Sequence, residues 1–256
     1  MRRRFFVEDF ADATAVLRGE TAEHLGRVLR AEPGQLYELS DGRRVWLAKI
    51  ERVALAKRGE SRIEFALIEP IPASEPALRM DLLVSLVKFD RFEWCLEKAT
   101  ELGANEIIPL AAARTDKPLI AAAAKRHERW QKIVTESARQ SRRLRPPLLR
   151  EAAAPDEAFS RSSAALRIVL SERRTAPLIG QVLPRATPAS PGVAPLSAAL
   201  AIGPEGGWTD EEIRAAAGCG FAEASLGENI LRAETAVIAS MSILAFGLQL
   251  GRASSE

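Results

Sequence analysis

Hydrophobic and polar positions change rhythm once along this chain. Up to about residue 70 the pattern is mostly that of short strands. Residues 35–40 alternate around Tyr37 and Leu39, Asp41-Gly42 follows as a hairpin signal, and residues 44–50 and 61–68 read as further strands. A short helix is predicted before them, from Thr21 to Ala31, stopped by Pro33-Gly34. The run Pro70-Ile71-Pro72-Ala73-Ser74-Glu75-Pro76 breaks any regular pattern and marks a domain boundary. The predicted division is a small β-rich domain, 1–72, and a larger domain, 73–256.

Beyond the boundary, strands and helices alternate. Leu82 to Val87 reads as a buried-type strand. Arg91 to Leu102 is a helix with Phe92, Cys95, Leu96 and Ala99 on one face, closed by Gly103. Ile107 and Ile108 mark a short strand. Lys125 to Ser141 is a helix with Trp130, Ile133, Val134 and Ala138 as its apolar stripe, and 166–170 is another strand. A Pro- and Ala-rich loop, Pro184 to Pro195, precedes a strand at 199–202. Thr209 to Glu212 has the Ser/Thr-x-x-Glu form of a capping box, so a helix starts there and ends near Gly218 or Gly220. A strand at 221–226 leads to a long helix, 233–250, with apolar residues on nearly every side, the mark of burial on more than one face. Alternation of this kind predicts an α/β fold with a mostly parallel sheet covered by helices on both faces.

Composition narrows the class. At 256 residues, with 47% hydrophobic and 27% charged residues, the chain has enough apolar matter for a core without disulfides. Cys95 and Cys219 lie far from each other and from any His cluster and read as reduced thiols. No CxxC, HExxH or DxDG pattern occurs, so no metal is expected. No apolar run has the length of a membrane span. Glu8, Asp9 and Asp12 follow the basic start too soon for a signal peptide, so a cytoplasmic location is expected.

Candidate chemistry lies near the C-terminus. Two segments, 201–212 (AIGPEGGWTDEE) and 226–236 (LGENILRAETA), each run from a strand through a glycine loop into a helix. Glycine accepts positive φ and lets a ligand approach the backbone, while a helix start offers unpaired N–H groups. Both loops follow parallel strands, and open α/β sheets bind ligands at the strands' carboxyl ends. Neither matches GxGxxG or the GK[ST] ending of a phosphate loop, which argues against a nucleotide-dependent enzyme. Glu234 favours the start of its helix, and Arg232 faces a substrate in the functional reading. Residues 125–145 carry eight Lys and Arg against Glu128 and Glu136, ending in Arg139, Gln140, Arg142 and Arg143. Such a cluster suits a phosphate backbone, with Arg2, Arg3 and Arg4 as a second contact and Arg114 as a third.

These segments resemble the ribosomal small-subunit RNA methyltransferase E family, of the SPOUT class. The likeness spans nearly the whole chain: His24-Leu25 with Arg27-Val28-Leu29-Arg30, Pro33-Gly34 and Asp41-Gly42, Glu97 to Gly103, Arg129 to Ile133, Gln140, Ile202 to Gly207, and Ile230 to Ala236. It departs at Phe89, where the family often has Gly, at Ala233, where it often has Thr, and at Ala111 to Ala113.

The resemblance implies a PUA-like β-barrel that helps hold RNA, Arg27 and Arg30 among its contacts, followed by a trefoil-knotted α/β domain. It implies S-adenosylmethionine as cofactor, N3-methyluridine in 16S rRNA of the small ribosomal subunit as product, and a homodimer. The cofactor loops would be Ser171 and Glu172; Ile202, Gly203, Pro204, Glu205, Gly206 and Gly207; and Leu226, Gly227, Ile230, Leu231 and Arg232. Arg232 would stabilise charge on the uracil, and Glu205 or Glu234 would accept its proton. The competing expectation is a non-catalytic RNA-binding module that keeps a methyltransferase-like fold. Retention of both glycine segments argues against it.

Overall fold

The computed structural model describes residues 3–56, 59–183 and 196–253; Arg2 and the loop from Pro184 to Pro195 lie outside the described residues. Backbone contacts divide the chain into two units, Met1–Glu75 with Ala138–Pro146, and Pro76–Ser137 with Pro147–Glu256. The predicted cut between 72 and 73 therefore needs a correction, because residues 138–146 return to the first unit. Polar pairing holds them there. Ser40 Oγ donates to the Leu144 carbonyl at 2.6 Å, Arg4 to that of Arg142 at 2.6 Å, and Arg145 forms a bidentate pair with Glu75 at 2.7 and 2.6 Å.

In the first unit, strands β1 (Arg4–Phe6), β2 (Thr14–Arg18), β3 (Leu36–Ser40), β4 (Val45–Ala54) and β5 (Arg62–Ile71) form a sheet of order β1-β3-β4-β5-β2. The β1–β3 pair is parallel and the others antiparallel. Alternation turns Phe5, Leu17, Leu39, Ile50, Ile63 and Phe65 into one core. The predicted helix is shorter than expected. Helix α1 (Gly19–Glu23) passes into a π-turn, His24–Val28, closed by Leu29 N–H to the His24 carbonyl at 3.2 Å. Arg30 then takes φ 51° and ends it. A Cβ on Gly26 would fall 2.5 Å from Leu55 Cδ2, so a larger residue there needs the Leu55 side chain to move.

The second unit holds strands β6 (Leu78–Ser85), β7 (Ala104–Leu110), β8 (Leu148–Leu149), β9 (Leu166–Leu170), β10 (Leu196–Ile202) and β11 (Ala222–Ala224). Every pairing is parallel, and the order is β11-β9-β10-β6-β7-β8. Period-two alternation gives the sheet two apolar faces. Leu82, Val84, Ile168, Leu200 and Ile202 meet α2 (Phe89–Glu101), α3 (Lys117–Gln140) and α7 (Ala233–Ala253) on one. Leu83, Val169, Ala199 and Ala201 meet α4 (Pro155–Arg161) and α6 (Asp210–Gly218) on the other. A four-residue turn, α5 (Ile179–Val182), follows β9.

Helix α3 starts at Lys117 rather than Lys125. Pro118 is tolerated in a first turn, Asp116 O accepts from Leu119 N–H at 2.9 Å, and Ala121 to Ala124 favour helix strongly. The last strand is shorter than predicted, three residues against six. Helix α7 buries Val237, Met241 and Leu244 but leaves Phe246 69% exposed, so its apolar ring is covered only in part within one chain.

Candidate active site

The carboxyl ends of β9, β10 and β11 open onto one cleft of about 610 Å³. Each wall is a chain segment leaving one of these strands.

The segment leaving β10 is folded by contact between glycine and an indole. A Cβ on Gly203 would lie 3.0 Å from Cε2 and Nε1 of Trp208, so only glycine lets the ring seat there. The buried ring donates its Nε1–H to the Leu170 carbonyl at 2.8 Å, which pins the loop to the end of β9. Gly207, at φ 70°, closes the turn by donating to the Pro204 carbonyl at 2.8 Å. Thr209 then caps α6 in a reciprocal box with Glu212, as its spacing predicts. Glu212 also accepts from Ala113 N–H at 2.8 Å, and Arg114 donates to the Gly206 carbonyl at 2.9 Å. The 111–114 segment thus buttresses the glycine loop from behind.

The segment leaving β9 contributes Ser171, Glu172 and Arg173. Ser171 N–H donates to Ala224 O at 2.8 Å, and Arg173 forms an ion pair with Asp210. The segment leaving β11 turns at Gly227, whose φ is 131°. Ser225 Oγ accepts from Gly227 N–H at 3.1 Å and donates to its carbonyl at 3.0 Å. Arg232 O accepts from Ala236 N–H at 2.8 Å, which starts α7 and leaves the Arg232 side chain exposed at the cleft.

All the cofactor-loop candidates line this cleft: Ser171, Glu172, Ile202 to Gly207, Leu226, Gly227, and Ile230 to Arg232. Arg114 lines it too. Glu234 does not; it is 6% exposed, in the first turn of α7. Several lining residues were not among the sequence candidates, including Arg91, Arg173 and Trp208. Arg91 stands in the first turn of α2, just past the carboxyl end of β6, a position that the strand-end rule reaches once the sheet is known. Its Nη1 pairs with Glu205, and its Nε lies 3.9 Å from Glu234 Oε1. Burial, with the nearby Glu234 charge, pushes the Cys95 thiol up to about 12, so it stays protonated and takes no part as a nucleophile.

The remaining candidate RNA contacts belong to the first unit, and the structure separates them. Arg4 is buried and bonds Glu38 through Nε at 3.1 Å and Nη2 at 2.9 Å. Arg139 donates to Thr21 Oγ1 at 3.0 Å and lies over the Phe5 ring. Arg143 is withdrawn from solvent, and burial followed by the Arg145 charge lowers its pKa to about 10. Arg3, Arg27, Arg30, Gln140 and Arg142 are exposed.

Known proteins share this sequence over most of its length. The family model described as an RNA methyltransferase domain matches residues 74–245. The ribosomal RNA small subunit methyltransferase E of Synechocystis sp. is 34% identical over 240 residues, which cover 90% of this chain and 72% of that protein. The chain belongs to the ribosomal RNA small subunit methyltransferase E family. The Bacillus subtilis member is 29% identical over 263 residues, with 98% of each chain covered. A family member from Neisseria gonorrhoeae, solved bound to S-adenosyl methionine, superposes with a TM-score of 0.81 at 28% identity, covering 97% of this chain and 98% of that one. Family membership therefore spans both units and includes all three segments of the cleft.

Proposed function

We propose that this chain uses S-adenosylmethionine to methylate N3 of a uridine in 16S rRNA of the small ribosomal subunit. The observation that carries the reading is the cleft at the carboxyl ends of β9, β10 and β11, walled by two glycine loops, in a chain of this family.

The residues present fit such a cofactor. The cleft falls in the range of about 300–1,000 Å³ usual for small-molecule sites. Its apolar lining, Leu170, Ile202, Leu226, Leu231 and Ala236, suits a flat base, and Glu172, Glu205 and Glu228 suit a cationic ligand. The backbone at Gly207 and Gly227 takes positive φ, a path closed to bulkier side chains. When bound, the cofactor supplies a methyl group on a positively charged sulfur.

The protein's share is placement and charge. Uracil N3 gives up a proton as it is methylated, and negative charge collects on the uracil oxygens. The exposed guanidinium of Arg232 is assigned to that charge. Glu205, half-exposed and lining the cleft, is assigned as the proton acceptor. Glu234, behind the wall, shapes the start of α7. The walls fix the reacting groups in line, which supplies much of the acceleration in such a transfer. Arg232→Ala is expected to lower turnover by about 100-fold or more, the scale of one lost charge-stabilising donor, while cofactor affinity stays near wild type. Lost affinity would make Arg232 a binding residue instead.

The finer architecture belongs to the same proposal. The connections around β9, β10 and β11 form a trefoil knot, a rare exception to unknotted connectivity, and the first unit is a PUA-like barrel. The order β11-β9-β10, in which β11 returns beyond β9 to the sheet edge, supports the knot. RNA contact is assigned to Arg3, Arg27, Arg30, Gln140 and Arg142 in the first unit and to Arg114 in the second. Arg4, Arg139 and Arg143 hold the fold. The active form is a homodimer, supported by the exposed apolar side chains Phe246, Leu178 and Ile230.

The deciding test is methyl transfer from labelled S-adenosylmethionine to unmethylated small subunits and to free rRNA, followed by nucleoside mass spectrometry. N3-methyluridine on the subunits is expected. No transfer to either substrate, together with absent cofactor binding, would leave an RNA-binding module.

A further inference from the structure

We propose that Arg91 is a positioning residue that locks the glycine loop after β10 to the start of α7. The role of that lock in catalysis rests on the reading of the cleft given above; the lock itself does not.

Glu234 lies buried in the first turn of α7. A carboxylate with 6% of its surface exposed is costly unless charge and hydrogen bonds compensate it. Its Oε2 has no hydrogen-bond partner among the described residues. Its Oε1 lies 3.9 Å from Arg91 Nε. Compensation therefore comes from the Arg91 charge and the positive end of α7. The same guanidinium donates through Nη1 to Glu205, the residue before Gly206-Gly207 in the opposing loop. A planar fork is suited to hold two carboxylates at a set separation.

The base of the fork is rigid. Arg91 stands on α2 beside Phe92, Cys95 and Leu96, all fully buried, and α2 packs against α7. The fork thus ties the glycine loop, which Trp208 pins to the end of β9 and Arg114 braces at Gly206, to a helix set in the core. Arg232, two residues before Glu234, lies on the helix side of the tie, and Glu205 on the loop side. Charge-stabilising and proton-accepting candidates are held in register by one side chain that is neither. Such preorganisation raises affinity by lowering the ordering cost of binding.

The test compares wild type, Arg91→Ala, Arg91→Lys, Glu205→Gln and the Arg91→Ala/Glu205→Gln double variant of the full chain. The first readout needs no ligand: amide hydrogen exchange at Gly207 and Ala236, whose N–H groups are bonded to Pro204 O and Arg232 O. Arg91→Ala is expected to speed exchange at both by about tenfold or more, the scale of a lost hydrogen bond to a charged group, with β9 and β10 unchanged. Arg91→Lys should restore part of the protection, and Glu205→Gln should loosen Gly207 alone. The second readout is S-adenosylmethionine affinity by calorimetry. Arg91→Ala should weaken it, and the double variant should be no weaker than Arg91→Ala. Unchanged exchange at Gly207 and Ala236, or a rise spread evenly over the sheet, would overturn the proposal. Should Arg91→Ala not fold, Gly207 exchange in Glu205→Gln decides in the same way. Failure of the wild type to bind S-adenosylmethionine would sink the cofactor reading, while the exchange data still judge the lock.

Discussion

At the residue scale, the cleft depends on contacts that allow little substitution. Gly203 is the sharpest case. An added methyl would meet the Trp208 ring at 3.0 Å, and that ring is buried and fixed by its bond to Leu170. Gly203→Ala is expected to lose about 1–3 kcal/mol of stability, the usual penalty of overpacking, and to weaken S-adenosylmethionine binding. Thermal melts and calorimetry check both, and unchanged values would mean the ring has room to move. Asp81 offers a pH test far from the site. Burial raises its carboxyl pKa above the ordinary 3.8; the bond from Asn105 pulls it down, Glu106 raises it and Arg79 lowers it. A raised folded value means that the native state holds the proton more tightly than the unfolded chain. The stabilisation is therefore full below the unfolded value and is lost as pH rises through the folded one. As pH rises from below the ordinary carboxylate value through the raised folded one, the wild type should lose stability relative to Asp81→Asn. Urea midpoints measured across that range give the slope, and a flat or opposite one refutes the assignment.

At the element scale, the glycine loops work because regular structure begins immediately after them. The Thr209–Glu212 box sets the start of α6 directly behind Trp208, and Glu212 reaches on to Ala113. Thr209→Ala removes one half of the box and should lower stability by about 1 kcal/mol. Glu212→Ala should lower it further, because the Ala113 N–H loses its acceptor as well. Denaturant unfolding of the two variants would rank them, and equal losses would show that the link to Ala113 adds nothing. These elements were largely legible beforehand. The mostly apolar stretch at 166–170 and the capping pattern at 209–212 are local signals, and both produce the expected element. The start of α3 was less legible, because its basic second half drew the boundary eight residues late while Pro118 and four alanines carried the true start.

At the scale of the whole molecule, two features exceed any one element. One is the separation into two cores, each a distinct apolar cluster, with Ala138–Pro146 crossing from one stretch of sequence into the other unit. The other is the apolar surface left on the second unit. Phe246 is 69% and Ile230 75% exposed, on and near a helix that buries Val237, Met241 and Leu244. If these face a second copy, Phe246→Asp should convert a dimer to a monomer with little change in the melting of each chain. Light scattering coupled to size exclusion measures it directly. A wild-type monomer would remove the homodimer from the functional proposal.

The sequence by itself determined what depends on near neighbours. Alternation produced the strands and period 3.6 the helices, and the glycine spacing marked the two loops, because a backbone turn and its residue types are local. The same motifs carried the family likeness. Only the tertiary structure decided which side chains share a space. It brought Arg91 between Glu205 and Glu234, 114 and 143 positions away in sequence. It buried Arg4 and paired Arg139 with Thr21, and it set β9 between β10 and β11. Such pairings arise from sheet order and burial, where a charge takes whichever partner the fold brings within reach, and no spacing along the chain records that choice.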